Sequence, residues 1–311
     1  MMNDLKLGMM VIIFRALTCA DKPLLDKFYR SGYYENAHFN FTNLFMWRHP
    51  FNIELAEEDG VLFQTCRWNG QYMALQPIAL AGDGALIEAV DKLKEHFAAV
   101  GDKLHFSGVE KKFADFLNEN FPGDFAIDSN RDDFDYVYRS EDLIKLAGRK
   151  YHSKKNHLNA FYKNFPLAEY MPITDEIVTL CKLELNGWYK QRLQDEPDDP
   201  FIKHERQAII EVLNNFSAMN LKGGAIRLNG RIIAFTFGEQ LNDDTAVIHV
   251  EKADPNIRGA YPAINQNFVE HEWAHLAFIN REEDMGIEGL RKAKESYKPV
   301  KLVEKFHARL L

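Results

Sequence analysis

Four cations fall within seven residues of the stretch GRKYHSKKNH, residues 148–157: Arg149, Lys150, Lys154 and Lys155, with His157 close behind. From Leu143 to Ala168 the chain holds six Lys or Arg and no Asp or Glu, although its formal net charge is −8. Read as a helix from Tyr151, the stretch carries Leu158, Phe161, Tyr162 and Phe165 on one face. Arg149, Ser153, Asn156 and Lys163 lie on another, flanked by Lys150, Lys154 and His157. One side packs and the other gathers positive charge, which suits contact with phosphates of a tRNA, a CoA or a lipid head group. The overall acidity argues against general DNA binding, so a local docking site is expected.

A second anion-binding candidate is the loop PNIRGAYPAINQ, residues 255–266. A glycine turn from a strand into a helix N-terminus presents unpaired backbone N–H groups to phosphate oxygens, here around Arg258, Gly259, Ala260 and Tyr261. Just before it, VIHVE ends on Glu251. Strict alternation along that strand sets His249 and Glu251 on one face and Val250 on the other, and a carboxylate at an apolar strand end can serve as a base. Tyr297 closes AKESYKP, with Leu290, Ala293 and Tyr297 sharing a helical face. The segment HEWAH, with His271 and His275 four apart and Glu272 between, has the spacing of a zinc peptidase helix. Metal binding needs a third ligand, and the strand LAFIN carries the chain away before Glu282, Glu283 or Glu288. No metal is expected.

These residues need a frame to hold them. A hydrophobic fraction of 46% over 311 residues is enough for two cores. The N-terminal apolar run from Met9 to Phe14 is broken by Arg15 and too short for a leader or a membrane span. It reads as a strand at 10–15, followed by a helix near 22–31 with cap candidates Thr18 and Asp21 and with Pro23 in its first turn. Asp59-Gly60 and Asn69-Gly70 mark hairpins. A helix at 84–99, a strand at 103–107, a helix at 110–120 and the strand DFDYVYR follow. The second half offers helices at 151–164, 174–190 and 200–219, separated in part by an exposed loop at 194–200. Then comes a meander turning at Asn229-Gly230 and at Asn242–Asp244. A loop, a helix to about His275, the strand LAFIN and a helix from Gly286 to Tyr297 complete it. This order predicts an α/β fold with mixed sheets in two domains, 1–145 and 146–311. Three cysteines of odd number and no metal-like spacing predict free thiols and a cytoplasmic protein.

The second half resembles the GNAT acyltransferase fold. The stretches DYVYRSEDLIKLAGRKYHSKKNHLNAF, EKADPNIRGAYPAINQNF and INREEDMGIEGLRKAKESYKP, with NFTNLFMWR near the start, resemble a bacterial family of tandem GNAT domains. That family is related to the C-terminal domain of phosphatidylglycerol lysyltransferase and, more distantly, to the Fem aminoacyltransferases. The resemblance implies a general-base role for Glu251, a leaving-group acid in Tyr297, and a pyrophosphate cradle at Arg258-Gly259-Ala260. In that cradle only part of the GNAT signature is present, and Pro262 intrudes. The expected activity is transfer of an acyl or aminoacyl group, from acyl-CoA or aminoacyl-tRNA as co-substrate, to an amine or hydroxyl of a small molecule, lipid or peptide. No tightly bound cofactor is implied. Two other readings are a non-catalytic protein whose degenerate site binds an anionic ligand, and a zinc hydrolase using HEWAH.

Overall fold

The hairpin turns follow from residues that tolerate a left-handed backbone. Asp59, Gly60, Asn69, Gly70, Asn229 and Gly230 all have positive φ, between 50° and 82°, the geometry of tight two-residue turns. They sit in a computed structural model that describes residues 11–195 and 199–311. The chain divides into two units.

The first unit runs to Gly32, resumes over Trp47–Asn130 and ends with Glu304–Leu311. It contains β1 (Arg15–Ala16), α1 (Lys22–Tyr29), β2 (Glu54–Glu58), β3 (Val61–Trp68), β4 (Gln71–Ala74), β5 (Ile78–Ala79), α3 (Asp83–Ala99), β6 (His105–Val109), α4 (Lys111–Asn120), β7 (Phe125–Ser129) and β15 (Phe306–Leu310). The sheet order is β1-β2-β3-β4-β6-β15-β7, with β5 on β3. Only β4 and β6 run parallel. Leu93 and Phe97 of α3 and Phe113 and Leu117 of α4 bury against Phe63 and Phe106 of the sheet. Ahead of α1, Thr18 and Asp21 form the expected capping box, and Pro23 occupies the first turn.

The second unit comprises Tyr33–Met46 and Arg131–Val303. Its elements are α2 (Phe41–Trp47, all but the last residue), β8 (Asp135–Arg139), α5 (Ser140–Lys145), α6 (His152–Asn164), β9 (Glu169–Pro172), α7 (Asp175–Asp195), α8 (Pro200–Asn214), β10 (Lys222–Leu228), β11 (Arg231–Gln240), β12 (Thr245–Ala253), α9 (Ala260–Phe268), β13 (Phe278–Asn280), α10 (Glu288–Glu295) and β14 (Lys301–Val303). They build a sheet of order β14-β8-β13-β12-β11-β10-β9. Its core joins Tyr136 and Tyr138 of β8 to Leu158 and Phe161 of α6 and to Ile264 and Phe268 of α9.

Several expectations change. The boundary expected at 145/146 does not match this division. Residues 131–145 belong to the second unit because β8 is an inner strand of its sheet, residues 33–46 join it with the Ala37 N–H donating to Asp135 at 2.8 Å, and 304–311 belong to the first because β15 lies between β6 and β7. The N-terminal strand is β1, later than 10–15, and residue 10 lies outside the described residues. The helix expected to 219 stops at Asn214, while Phe216, Met219 and Leu221 stay buried in the turn that follows. Apolar spacing there outlasts the helix. Of the expected loop at 194–200, residues 196–198 lie outside the described residues. α8 begins at Pro200, with the Asp199 carboxylate accepting from the Phe201 N–H at 2.8 Å.

Candidate active site where two parallel strands part

Strands β12 and β13 run parallel and pair at three positions, ending at Val247↔Asn280. Beyond that point β12 continues to Ala253, and the chain leaving β13 turns away. The turn is sharp: Glu282, Met285 and Gly286 all have positive φ. Lys294, buried at the C-terminal end of α10, holds it by donating to the carbonyls of Arg281, Glu282 and Glu283 at 2.5, 3.0 and 2.6 Å. Burial pulls the Lys294 ammonium down to about 8. A further brace is Asp284, which accepts from Arg291 at 2.8 Å through both carboxylate oxygens and from the Tyr136 hydroxyl at 2.5 Å. Burial works against its charge, but Arg291 and Tyr136 hold its carboxyl down at about 2.

Into this gap β12 delivers Glu251 and the end of β13 delivers Arg281. Arg281 Nη2 meets Glu251 Oε2 at 2.5 Å, with 15% and 11% of the two side chains exposed. The guanidinium also lies 4.9 Å from the Tyr297 ring centroid and 5.5 Å from that of Tyr138. Tyr138 and Tyr297 meet edge to face at 6.4 Å. Glu251 and Tyr297, expected to work together, therefore share one neighbour. Burial pushes the Tyr297 phenol well above its ordinary value, opposed by Arg281 and reinforced by Glu251. A phenol so placed keeps its proton at neutral pH and can donate it.

The expected alternation along β12 does not hold. Pairing with β11 steps from Phe237↔Val250 to Gly238↔Ile248, so His249 is a bulge residue, and a bulge interrupts period two. Glu251 meets Arg281, whereas His249, its side chain fully buried, meets Glu282 at 2.9 Å through Nδ1 and Glu239 at 3.5 Å through Nε2. Asn43 donates to the same Glu282 oxygen at 3.0 Å. The face expected for the last helix also differs. α10 ends at Glu295, so Tyr297 is beyond the helical phase; Ala293 is exposed and Lys294 takes the buried position.

The cations of 149–155 do not form one surface. Lys150 pairs with Asp142 at 3.3 Å and Lys145 with Glu141, acids lying just ahead of the acid-free stretch. Lys154 turns inward, its Nζ 4.2 Å from the Tyr297 ring centroid. Burial lowers its pKa, aided by Arg281 and opposed by Glu251. Arg149 is exposed and Lys155 half-buried. Tyr162, expected on the packed face, is exposed, with its hydroxyl accepting from Asn267 at 2.6 Å.

The turn before α9 lies directly on α6. Arg258 Nε donates to His157 Nδ1 at 3.4 Å. Gly259 has φ +93°, and a Cβ there would stand 2.8 Å from the His157 carbonyl and from Phe161 Cβ. As an anion cradle it is sparse: the Ala260 N–H already donates to the Ile257 carbonyl at 3.2 Å, and Pro262 has none. That leaves the N–H of Tyr261 among the first three helical residues. HEWAH begins in a π-helical turn, Val269–Trp273, which ends before Ala274 and His275. His271 there stacks on Tyr170 at 4.5 Å and holds the Asn267 carbonyl at 2.8 Å, while Glu272 faces Lys222. Among the described residues no three His, Cys, Asp or Glu converge as a metal site.

Arg281 is the residue that sequence reasoning missed. Its signal was present: VIHVE and AFINR are apolar runs each followed by an opposite charge, Glu251 near the end of β12 and Arg281 just after β13, and two neighbouring parallel strands bring such positions close.

The family profile for the C-terminal region of phosphatidylglycerol lysyltransferase matches residues 31–309. The chain belongs to this family. A conserved protein of unknown function from Bacteroides thetaiotaomicron is similar along its whole length, at 36% identity and TM-score 0.89, covering 97% of this chain and 100% of that one. The structure of L-PGS from Bacillus licheniformis superposes with TM-score 0.64 at 12% identity, over 93% and 92% of the two chains. A Mycoplasmoides gallisepticum protein, MYCGA3080, is 26% identical over 176 residues, 57% of this chain and 56% of its own length. The match thus spans just over half of that relative. The fold is α/β with mixed sheets, and the family makes it an aminoacyl- or acyltransferase-like chain. No described helix is long and apolar enough to cross a membrane.

Proposed function

We propose that the second unit transfers an aminoacyl group from an aminoacyl ester, of the kind carried by tRNA, to a hydroxyl or amine acceptor. One observation carries this reading: Glu251 and Tyr297 converge on Arg281 where β12 and β13 part. Glu251 takes the proton of the acceptor as its heteroatom bonds to the carbonyl carbon. The carbonyl pair moves onto oxygen, and its return breaks the bond to the leaving oxygen, which takes the Tyr297 proton. Both side chains then recover their protonation from solvent.

An ester donor is preferred to acyl-CoA because Pro262 and the bonded Ala260 N–H leave a poor pyrophosphate cradle. Arg149, Lys155, Arg258 and His157 remain for phosphates of the donor. The family's named reaction, lysyl transfer to phosphatidylglycerol, supports a lipid hydroxyl as acceptor. The test is transfer of labelled amino acid from total aminoacyl-tRNA to phosphatidylglycerol vesicles, beside labelled acetyl-CoA. Transfer from the tRNA pool is expected, and R149Q/K155Q should weaken it with a salt slope shallower by about 1–2 charges. Equal or better use of acetyl-CoA would contradict the donor assignment.

A further inference from the structure

Lys154 was grouped by sequence with the surface cations, and its position sets it apart. It is separated from Arg149 and Lys155 by its direction, reaching in over the Tyr297 ring. Among the described residues no carboxylate lies within ion-pair distance of it. Arg281 comes at the same ring. Its Nη2 is held by Glu251, but its Nη1 is buried with no hydrogen-bond partner. One carboxylate thus answers two cations, and a buried donor stands idle beside an ammonium drawn out of water. Behind Arg281, Lys294 is engaged by three carbonyls, and the carboxylates acting on it are Glu283, Glu282 and Asp135. The charges acting on Lys154 are instead Arg281 and Glu251.

A half-buried charge with no carboxylate on it and an unmet buried donor both cost free energy. Two such defects at one ring have a common remedy, an anion seated between them. We propose that Lys154 Nζ and Arg281 Nη1 form a side-chain anion site over Tyr297 that takes a small tetrahedral oxyanion. This rests on the reaction proposed above, in which the anion is the oxygen of the tetrahedral adduct. The charge appears on that oxygen only as the acceptor bond forms and is gone when the leaving oxygen departs. A site fixed for it favours the transition state over the bound substrate.

The assignment also explains why two neighbouring lysines differ. Lys155 serves the periphery, where attraction is screened over about 8 Å at physiological salt. Lys154 lies half-buried over the Tyr297 ring, where screening is weaker.

The probe is ethyl methylphosphonate, a monoanionic tetrahedral ester, titrated calorimetrically into the full chain, into K154M and into K154R, with thermal melts alongside. Wild type is expected to bind it with shallow salt dependence. K154M should bind at least about tenfold more weakly and K154R within about threefold, because arginine restores charge and donors. E251Q should slow transfer strongly and Y297F less so, while both still bind the phosphonate, so loss of the reaction and loss of the site read out separately. Absence of phosphonate binding to wild type, or K154M binding it as well as wild type does, overturns the inference. Should K154M fail to fold, K154Q carries the same prediction without the apolar side chain.

Discussion

His249 shows how a single residue can couple the site to pH. It is a bulge residue two positions before Glu251, enclosed by Glu239 and Glu282. Burial opposes its charge, but the two carboxylates prevail and lift it from 6.5 to about 9. A group whose pKa rises on folding contributes stability that is complete below its unfolded value and lost as pH climbs through the folded one. The window is therefore pH 6.5 to about 9, and the effect is on the order of a few kcal/mol at most. Thermal melts should show wild type losing stability across that window and H249Q losing less. Parallel melting curves for the two would remove His249 from the account. Nothing in VIHVE announces the bulge, since alternating and bulged strands share the same residue types. It arises from tertiary fit, with Gly238 admitting the Val247 carbonyl to a position a Cβ would occupy at 2.2 Å.

Among elements, the decisive meeting is that of α6 with the turn before α9. Gly259 permits it twice over, by its left-handed φ and by having no side chain between the His157 carbonyl and Phe161. G259A should push the turn off α6 and cost about 1–3 kcal/mol from backbone strain alone, read as a fall in denaturation midpoint. The same variant should weaken aminoacyl-tRNA binding by separating Arg258 from His157. A stability unchanged within error would mean the turn relaxes without loss. The glycine turn into a helix was legible in PNIRGAYPAINQ. The poverty of N–H donors was half legible, through Pro262, while the engagement of Ala260 depends on how the chain closes after Ile257. The cation cluster misled for a related reason. Sequence counts charges along a helix, but the 3₁₀ turn Arg149–Tyr151 ahead of α6 and the acids of α5 sort them into paired, exposed and inward groups.

Across the whole chain, the α/β class, the hairpins and most helices followed from apolar spacing and turn residues, because these are local properties. Unit membership did not. β15 enters the first sheet between β6 and β7, 176 residues after the end of β7 if the interval from Ser129 to Phe306 is counted by residues between them, and a five-residue strand carries no mark of such a distant partner. The candidate site lies in the second unit for a reason that does hold in the sequence: β12 carries Glu251 near its end, Arg281 directly follows β13, and a buried tyrosine from beyond α10 closes on them. The central claim is that this meeting performs group transfer. Its most direct test is single-turnover aminoacyl transfer by E251Q, a variant of the same size without the base. We predict a fall of about 10²–10⁴-fold with the melting transition retained, and a smaller fall for Y297F, whose proton water can partly replace. An E251Q protein that transfers at the wild-type rate would contradict the account.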